Sequence, residues 1–553
     1  MDKFLRLGQK LSKIYIGNRN IEEFNIVVHT NGDLRGPGVM PATIEKAAKI
    51  FQKYVAMITD ITLPIIFDNY PLHTEKEIAI GGVLRDYDVM CNENYLADEY
   101  EIRINKGNLI INGGVRGILY GVYSFLEEYL GVRFFSATCE RILYKENIEI
   151  HEIDKRFSPI FEYRELCHWN IFDADFSVKH KINGTFVRKL REEDGDGVGF
   201  AGGFGALVHT FSLFCSPQKY FYEHPEYFAL DEKGNRCPSA LCYTNKETQK
   251  VVFNNIVELL KKEKEPKLVS LSINDVIKSR CNCEQCKGLF GGRGNDTDRL
   301  LYFVNKVARK VKKVYPQVKI DTISYADMSS PPEIVKPEDN VVIRVCANKG
   351  VSGLSIEGAS AAKIRKAKEY MDRIQKLSQI TDKIYVWDYP YDYMVINSIF
   401  PILHTLREDM RFYAEHNVKG IYINGQTDTC DFDDLKIYLL AKVMFDPYMS
   451  SEEYEKHLTE FLEGYYGSGW KEIYRYIIMS EKVSRKTEFN IWSQPHEIIP
   501  LKYDEEGNAD HSFMNKSREL FNKAKKKARG GEIRRIDKNS LQIDYYELHS
   551  LMR

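Results

Sequence analysis

The groups in this chain best suited to chemistry fall where short apolar runs stop. Asn274-Asp275 ends the run from Leu268 to Ile273, and Trp387-Asp388-Tyr389 ends the run that begins at Lys383. Other such ends carry Cys167-His168-Trp169, His209-Thr210, Tyr325, Arg344 and Asn424-Gly425-Gln426. Hydrolysis of a glycosidic bond typically uses two carboxylates, one protonating the leaving oxygen and the other attacking or stabilising the anomeric carbon. In the substrate-assisted variant an acetamido group of the sugar attacks, and one acid plus one orienting residue suffice. Asp275 and Asp388 are the candidate pair; Arg164, His209, Asn274, Tyr325, Arg344, Trp387, Tyr389 and Asn424 are the candidate lining. A polyhydroxylated ligand needs many polar contacts on an apolar platform, and 35 Tyr and 29 Phe supply flat rings with polar rims in excess of what cores usually need. The bland accounts are a helix-capping Asp275 and a buried, hydrogen-bonded Asp388.

These ends converge only if the runs are strands of one parallel sheet. Runs near 161–167, 184–187, 206–211, 268–273, 318–325, 341–346, 383–389 and 420–424 alternate with helical patterns, which predicts an α/β fold with eight strands, a (β/α)8 TIM barrel spanning 156–431. Active sites of such barrels lie at the carboxyl ends of the strands. Thr244-Asn-Lys-Glu247 reads as a capping box opening one barrel helix, and Leu300, Val304, Val307, Ala308 and Val311 mark another. Residues 1–155 read as a small α/β domain, with a helix carrying Ile44, Ala47, Ala48, Phe51, Val55 and Ile58 on one face; 432–553 carry helical periodicity.

Lys plus Arg number 78 against 79 Asp plus Glu, so no global field attracts nucleic acid or an anionic membrane. The start holds no secretory apolar core and no run approaches the roughly 20 apolar residues of a membrane span, so the chain as given reads as cytoplasmic. Eleven cysteines, an odd number, suit reduced thiols. Cys281, Cys283 and Cys286 are spaced closely enough to hold a structural zinc, with Cys242 or a histidine as fourth ligand; the alternative is reduced cysteines packing a loop. The chemistry itself requires no cofactor. Gly197-Val-Gly-Phe-Ala-Gly202 matches the dinucleotide fingerprint formally, but it follows a charged stretch and opens no helix, so it reads as a flexible surface loop over the barrel mouth.

Arg116-Gly117, Tyr120-Gly121 and Phe125-Leu126-Glu127 resemble the α/β domain preceding the barrel in β-hexosaminidase-like and α-glucuronidase-like glycoside hydrolases, where the domain is a support. From about 158 to 480, the ordered set Tyr163-Arg164, His209-Thr-Phe211, His224-Pro-Glu-Tyr-Phe228, Leu241-Cys-Tyr-Thr-Asn245, Ser270 to Asp275, Cys281 to Cys286, Trp387-Asp-Tyr389, Leu403 to Arg407 and Glu463 to Gly467 resembles a barrel domain formerly of unknown function. Part of that group is glycoside hydrolase family 163, endo-β-N-acetylglucosaminidases acting on complex N-glycans, whose members are typically exported. The resemblance implies a glycan substrate containing β-linked N-acetylglucosamine. In the family pattern the eighth strand ends Gly-Val-Phe-Glu-Gln-Gly; here it reads Gly420-Ile-Tyr-Ile-Asn-Gly425, with Ile423 where the glutamate would be. Two other readings therefore stay open: a carbohydrate-binding protein without turnover, and an α-glucuronidase-like hydrolase whose uronate is held by Arg344.

Overall fold

The computed structural model describes residues 13–28, 42–68, 76–82, 95–263, 268–275, 280–347, 349–425, 428–501 and 510–551. The amino-terminal part is a mixed six-stranded sheet. Its strands are β1 (Asn25–Val28), β2 (Ile65–Phe67), β3 (Glu77–Ile80), β4 (Tyr100–Asn105), β5 (Asn108–Gly113) and β6 (Asp154–Phe157), in the order β6-β4-β5-β3-β1-β2. Helices α1 (Ala42–Thr59) and α2 (Gly117–Glu128) lie against it, and α1 buries the apolar stripe read from its sequence. The Arg116-Gly117 step has a steric reason: a Cβ on Gly117 would come within 1.8 Å of the Glu99 carbonyl oxygen.

The second sheet is parallel throughout and curled. It comprises β7 (Tyr163–Leu166), β10 (Leu268–Ser270), β11 (Lys319–Ser324), β12 (Val341–Cys346), β13 (Ile384–Asp388) and β14 (Val418–Ile423), in the order β7-β14-β13-β12-β11-β10. Every residue of β12 is buried, as a strand covered on both faces requires. Between β7 and β10 the chain also forms an antiparallel hairpin, β8 (Phe228–Leu230) with β9 (Arg236–Leu241).

Two expected strands fall differently. Of 184–187 only Gly184 pairs, and 206–211 is no strand: it passes through a 3-10 turn, Gly203–Ala206, to a short helix, Phe211–Phe214. The glycine-rich stretch takes the strand position instead, because Val198 bridges to Gly184 and Phe200 to Leu268. Gly184 N–H donates to the Arg164 carbonyl and Leu268 N–H to the Gly199 carbonyl, so two short segments lead from β7 to β10. Cβ atoms on Gly197 and Gly199 would each stand 2.1 Å from the Thr185 side chain, so close backbone approach, and no loop over the mouth, accounts for these glycines.

Helices α3 (Lys246–Leu260), α4 (Asp296–Val314), α5 (Arg365–Ile380) and α6 (Leu406–Glu415) pack around this sheet. The expected capping box at Thr244 is replaced by Asn245, whose side chain accepts from Thr248 N–H. Among the described residues, five helices of more than ten residues follow: α7 (Asp433–Phe445), α8 (Ser451–Tyr466), α9 (Trp470–Ser484), α10 (Ser512–Lys527) and α11 (Gly531–Leu551). Their apolar faces join one continuous core with the curled sheet, whereas the amino-terminal sheet has a core of its own. Among the described residues no helix is long and apolar enough to cross a membrane.

Candidate functional site

The strand polarity brings several of the expected residues to one face. Asp275, exposed just past β10, accepts a hydrogen bond of 3.2 Å from the Tyr325 hydroxyl at the end of β11. Burial, then the neighbouring Asp275 carboxylate, raises the pKa of the Tyr325 hydroxyl. The His209 ring lies 6.0 Å from the Tyr325 ring, and its Nδ1 is 2.8 Å from the Ile273 carbonyl, which selects the tautomer with Nδ1 protonated and leaves Nε2 as an acceptor. His209 holds a φ of 58°, a strained value for a residue with a Cβ. Asn274 is used structurally: its Nδ2 donates to Ser212 Oγ and the Ser239 carbonyl, both at 2.7 Å, and its Oδ1 accepts from Ser212 N–H.

A chain of rings crosses the same face. Trp492, Tyr393, Tyr389, Trp387 and Tyr422 follow one another with centroid separations of 5.8, 5.6, 6.5 and 4.4 Å. Tyr389 OH reaches Cys346 Sγ at 3.9 Å, and the pairing of Ser324 with Val345 sets Tyr325 and Cys346 at adjacent strand ends, so the two groups of rings are neighbours. The Trp387 Nε1–H is buried without a hydrogen-bond partner, an open donor beneath this face. Asn424 contributes backbone: its N–H donates to the Asp388 carbonyl and its carbonyl accepts from Tyr393 OH. Trp492 is 62% exposed and Trp169, just after β7, 68%. Sequence reasoning missed Tyr393, Trp492, Cys346 and Lys349; the one available signal was Trp492, one of only four tryptophans, in a region read as helical. Gln426 lies outside the described residues.

Asp388 has different surroundings. It is 3% exposed, and Lys349 Nζ, 2.8 Å away, also contacts Asp409 at 2.8 Å. Tyr413 OH donates to Asp388 at 3.3 Å. Burial opposes the Lys349 charge, but the two carboxylates outweigh it and raise its pKa; burial raises that of Asp409. The hollow beside them holds about 30 Å³, room for a water and not for a sugar. Asp388 thus stands in a buried ion cluster at the edge of the aromatic face.

Two expected sugar ligands are elsewhere. Arg164 is fully buried and points out of the sheet, donating to Asp98 at 2.8 Å and to the carbonyls of Lys181 and Phe161. Asp98 also accepts from Arg116 and Asn183, so this motif joins the amino-terminal sheet to the curled one. Arg344 is fully buried inside the curl, 2.6 Å from Asp321 and facing the rings of Phe200 and Trp387. An arginine so enclosed cannot reach a uronate at the rim. Ile423, where the family glutamate was expected, is fully buried among the apolar residues between sheet and helices.

A larger cavity, about 490 Å³, opens at the other end of the sheet beside Glu162, Leu268 and Lys319. It adjoins the amino ends of the strands, the face where stability rather than catalysis is normally built.

Among the described residues, two clusters have the donor types of metal sites. At His168, Asp433 and Asp434 the Lys538 ammonium already sits 3.0 and 3.1 Å from the two Asp433 oxygens, and His168 Nε2 is 3.2 Å from Asp433 Oδ2. His168 is buried there. The other cluster adds Cys242 to Cys281, Cys283 and Cys286.

No curated protein matches the chain. Among solved structures, a family 89 glycoside hydrolase from Clostridium perfringens in complex with 2-acetamido-1,2-dideoxynojirmycin is similar with a TM-score of 0.52 at 11% identity, over 92% of this chain and 61% of that one. The N-acetyl-β-hexosaminidase of Streptomyces plicatus in complex with Thio-NAglucal aligns with a TM-score of 0.45 at 10% identity, over 83% and 93%. The chain spans about three fifths of the length of the family 89 structures. The first of these likenesses supports a glycosidase-type fold. Residues 134–477, more than half of the chain, match the family described as Domain of unknown function (DUF4838), and the chain belongs to that family.

Proposed function

We propose that this protein is a glycoside hydrolase acting at the carboxyl ends of a parallel barrel on a glycan containing β-linked N-acetylglucosamine. The observation that carries this reading is the solvent-open Asp275, held by Tyr325 next to His209 and a continuous run of rings. In this reading the segments around 184 and 198–200 complete the six strands to eight, so that the sheet closes as a (β/α)8 barrel at 156–431, supported by 1–155 and backed by 432–553. The fold likeness to a glycosidase complexed with an acetamido-sugar mimic supports the choice of sugar.

Asp275 acts as acid or orienting carboxylate, with the Tyr325 hydroxyl fixing its rotamer. Asp388 is a positioning group: its charge is balanced by Lys349, and it holds the strand end from which Trp387 and Tyr389 project. A face with one open carboxylate of this kind suits the substrate-assisted route, in which the sugar's own acetamido oxygen is the nucleophile. The length of the ring platform, from the half-buried Trp387 to the exposed Trp492, favours a glycan bound on both sides of the scissile bond and hence internal cleavage. The reaction needs no cofactor. The buried Ile423 favours one second reading, a carbohydrate-binding protein without turnover.

Incubating the purified chain with a panel of N-glycans and N-acetylglucosaminides, with Asp275→Asn beside it, tests the proposal. Products released by the parent and not by Asp275→Asn are expected. Binding without release from any glycan would establish the second reading.

A further inference from the structure

We propose that Cys242, Cys281, Cys283 and Cys286 bind one Zn²⁺ as a tetrahedral tetrathiolate site, which fastens the β8–β9 hairpin to the loop following β10. The inference stands whether or not Asp275 is catalytic.

The ligand atoms are already arranged for the ion. Cys242 Sγ lies 3.8 Å from Cys283 Sγ and 3.9 Å from Cys286 Sγ, and all four sulfurs lie within 4.8 Å of one another. Zinc–sulfur bonds of about 2.3 Å in a tetrahedron require sulfur–sulfur edges of about 3.8 Å. These separations exceed the roughly 2.05 Å of a disulfide, and the four cysteines are free. Cys242, Cys281 and Cys286 are buried and Cys283 is half-buried, so the ion would be shielded from water and the site closed, as structural zinc sites are.

The surroundings match as well. Four thiolates around a divalent ion leave negative charge on sulfur, and it needs donors. Leu230 N–H points to Cys281 Sγ at 3.3 Å, Cys286 N–H to Cys283 Sγ at 3.4 Å, and the Thr244 hydroxyl lies 3.2 Å from Cys286 Sγ. On binding, each thiol gives its proton to solvent and its sulfur lone pair to zinc; nothing is oxidised or reduced.

The placement assigns the ion a task. Cys242 directly follows β9; Cys281 and Cys283 come just before the short helix Glu284–Lys287 and Cys286 lies within it, beyond Asp275 in the chain. Asn282 N–H donates to the Leu230 carbonyl at 2.7 Å, and Asn274 Nδ2 to the Ser239 carbonyl at 2.7 Å. The hairpin therefore contacts both Asn274 and Asn282, with zinc as a further tie.

The test is metal analysis of the full chain, purified without chelator from zinc-supplemented medium. About one zinc per chain is expected, falling at least fivefold in Cys242→Ser and Cys283→Ser and unchanged in Cys139→Ser. Because loss of a ligand can also unfold the serine variants, the parent protein is in addition stripped and reloaded with Co²⁺, which should give the visible absorption of a tetrahedral tetrathiolate. Less than about a tenth of an equivalent of zinc both as isolated and after reloading, or iron bound in its place, would overturn the assignment.

Discussion

Asp275 and Asp388 occupy equivalent places, each at the carboxyl end of a parallel strand beside an aromatic residue, yet their surroundings are opposite. Asp275 is exposed and accepts a hydrogen bond from the Tyr325 hydroxyl. Asp388 is enclosed by Lys349, Tyr413 and Asp409, next to a hollow too small for a ligand. A strand end alone therefore does not make a carboxylate reactive. The neighbouring connections decide: the one after β12 brings an ammonium to Asp388, whereas the end of β11 brings Asp275 a hydroxyl, leaving the charge open to substrate.

The sharpest break of this contrast is Asp275→Asn, which should lower kcat/KM about 10²- to 10⁴-fold while moving stability by less than about 0.5 kcal/mol; urea unfolding and glycan release measure both. Lys349→Met should do the reverse, costing about 3–5 kcal/mol by leaving Asp388 and Asp409 buried without their cation. Ile423→Glu tests the family difference in the same terms: a carboxylate in the apolar layer should cost about 3 kcal/mol or more without raising activity. Any gain in turnover from that variant would place residue 423 at the site. Tyr325→Phe should be milder, about tenfold in kcat/KM, the loss of one hydrogen bond to a charged group.

The smallest effect concerns a third carboxyl beyond β13. Burial pushes Asp392 up to about 7 although two backbone N–H groups, of Val395 and Met394, oppose the shift. Its folded pKa lies above its unfolded value of about 3.9, so the folded state binds the extra proton. The stability this contributes is full below about pH 4 and is lost as pH rises towards 7. Asp392→Asn keeps an oxygen for the two N–H donors. It should flatten the fall of the unfolding midpoint across that window, and an unchanged slope would show that Asp392 does not titrate there.

Much of the curled sheet was legible because strands buried on both faces are written as unbroken apolar runs, as in Val341 to Cys346. The short bridged segments between β7 and β10 were legible only in part: 184–187 was expected as a strand and 197–201 was not. Gly184 and the stretch 197–201 pair through glycines whose role is to let backbones approach, and a missing side chain leaves no periodicity to read. At the site, Asp275, Tyr325 and His209 were found from their position after apolar runs. Lys349 and Tyr393 were not, since they lie on connections with no pattern of their own, and Arg164 and Arg344 looked like ligands because sequence cannot tell which face of a strand meets solvent.

By itself the sequence determined the strands buried on both faces and the long helices, since the pattern of apolar and polar residues is a local property that burial imposes on each element. It also determined which side chains stand at strand ends. Only the tertiary structure decided which of those ends are open, because exposure and charge pairing depend on what distant segments bring: Lys349 to Asp388, Asp98 to Arg164, Cys242 to the other three thiols.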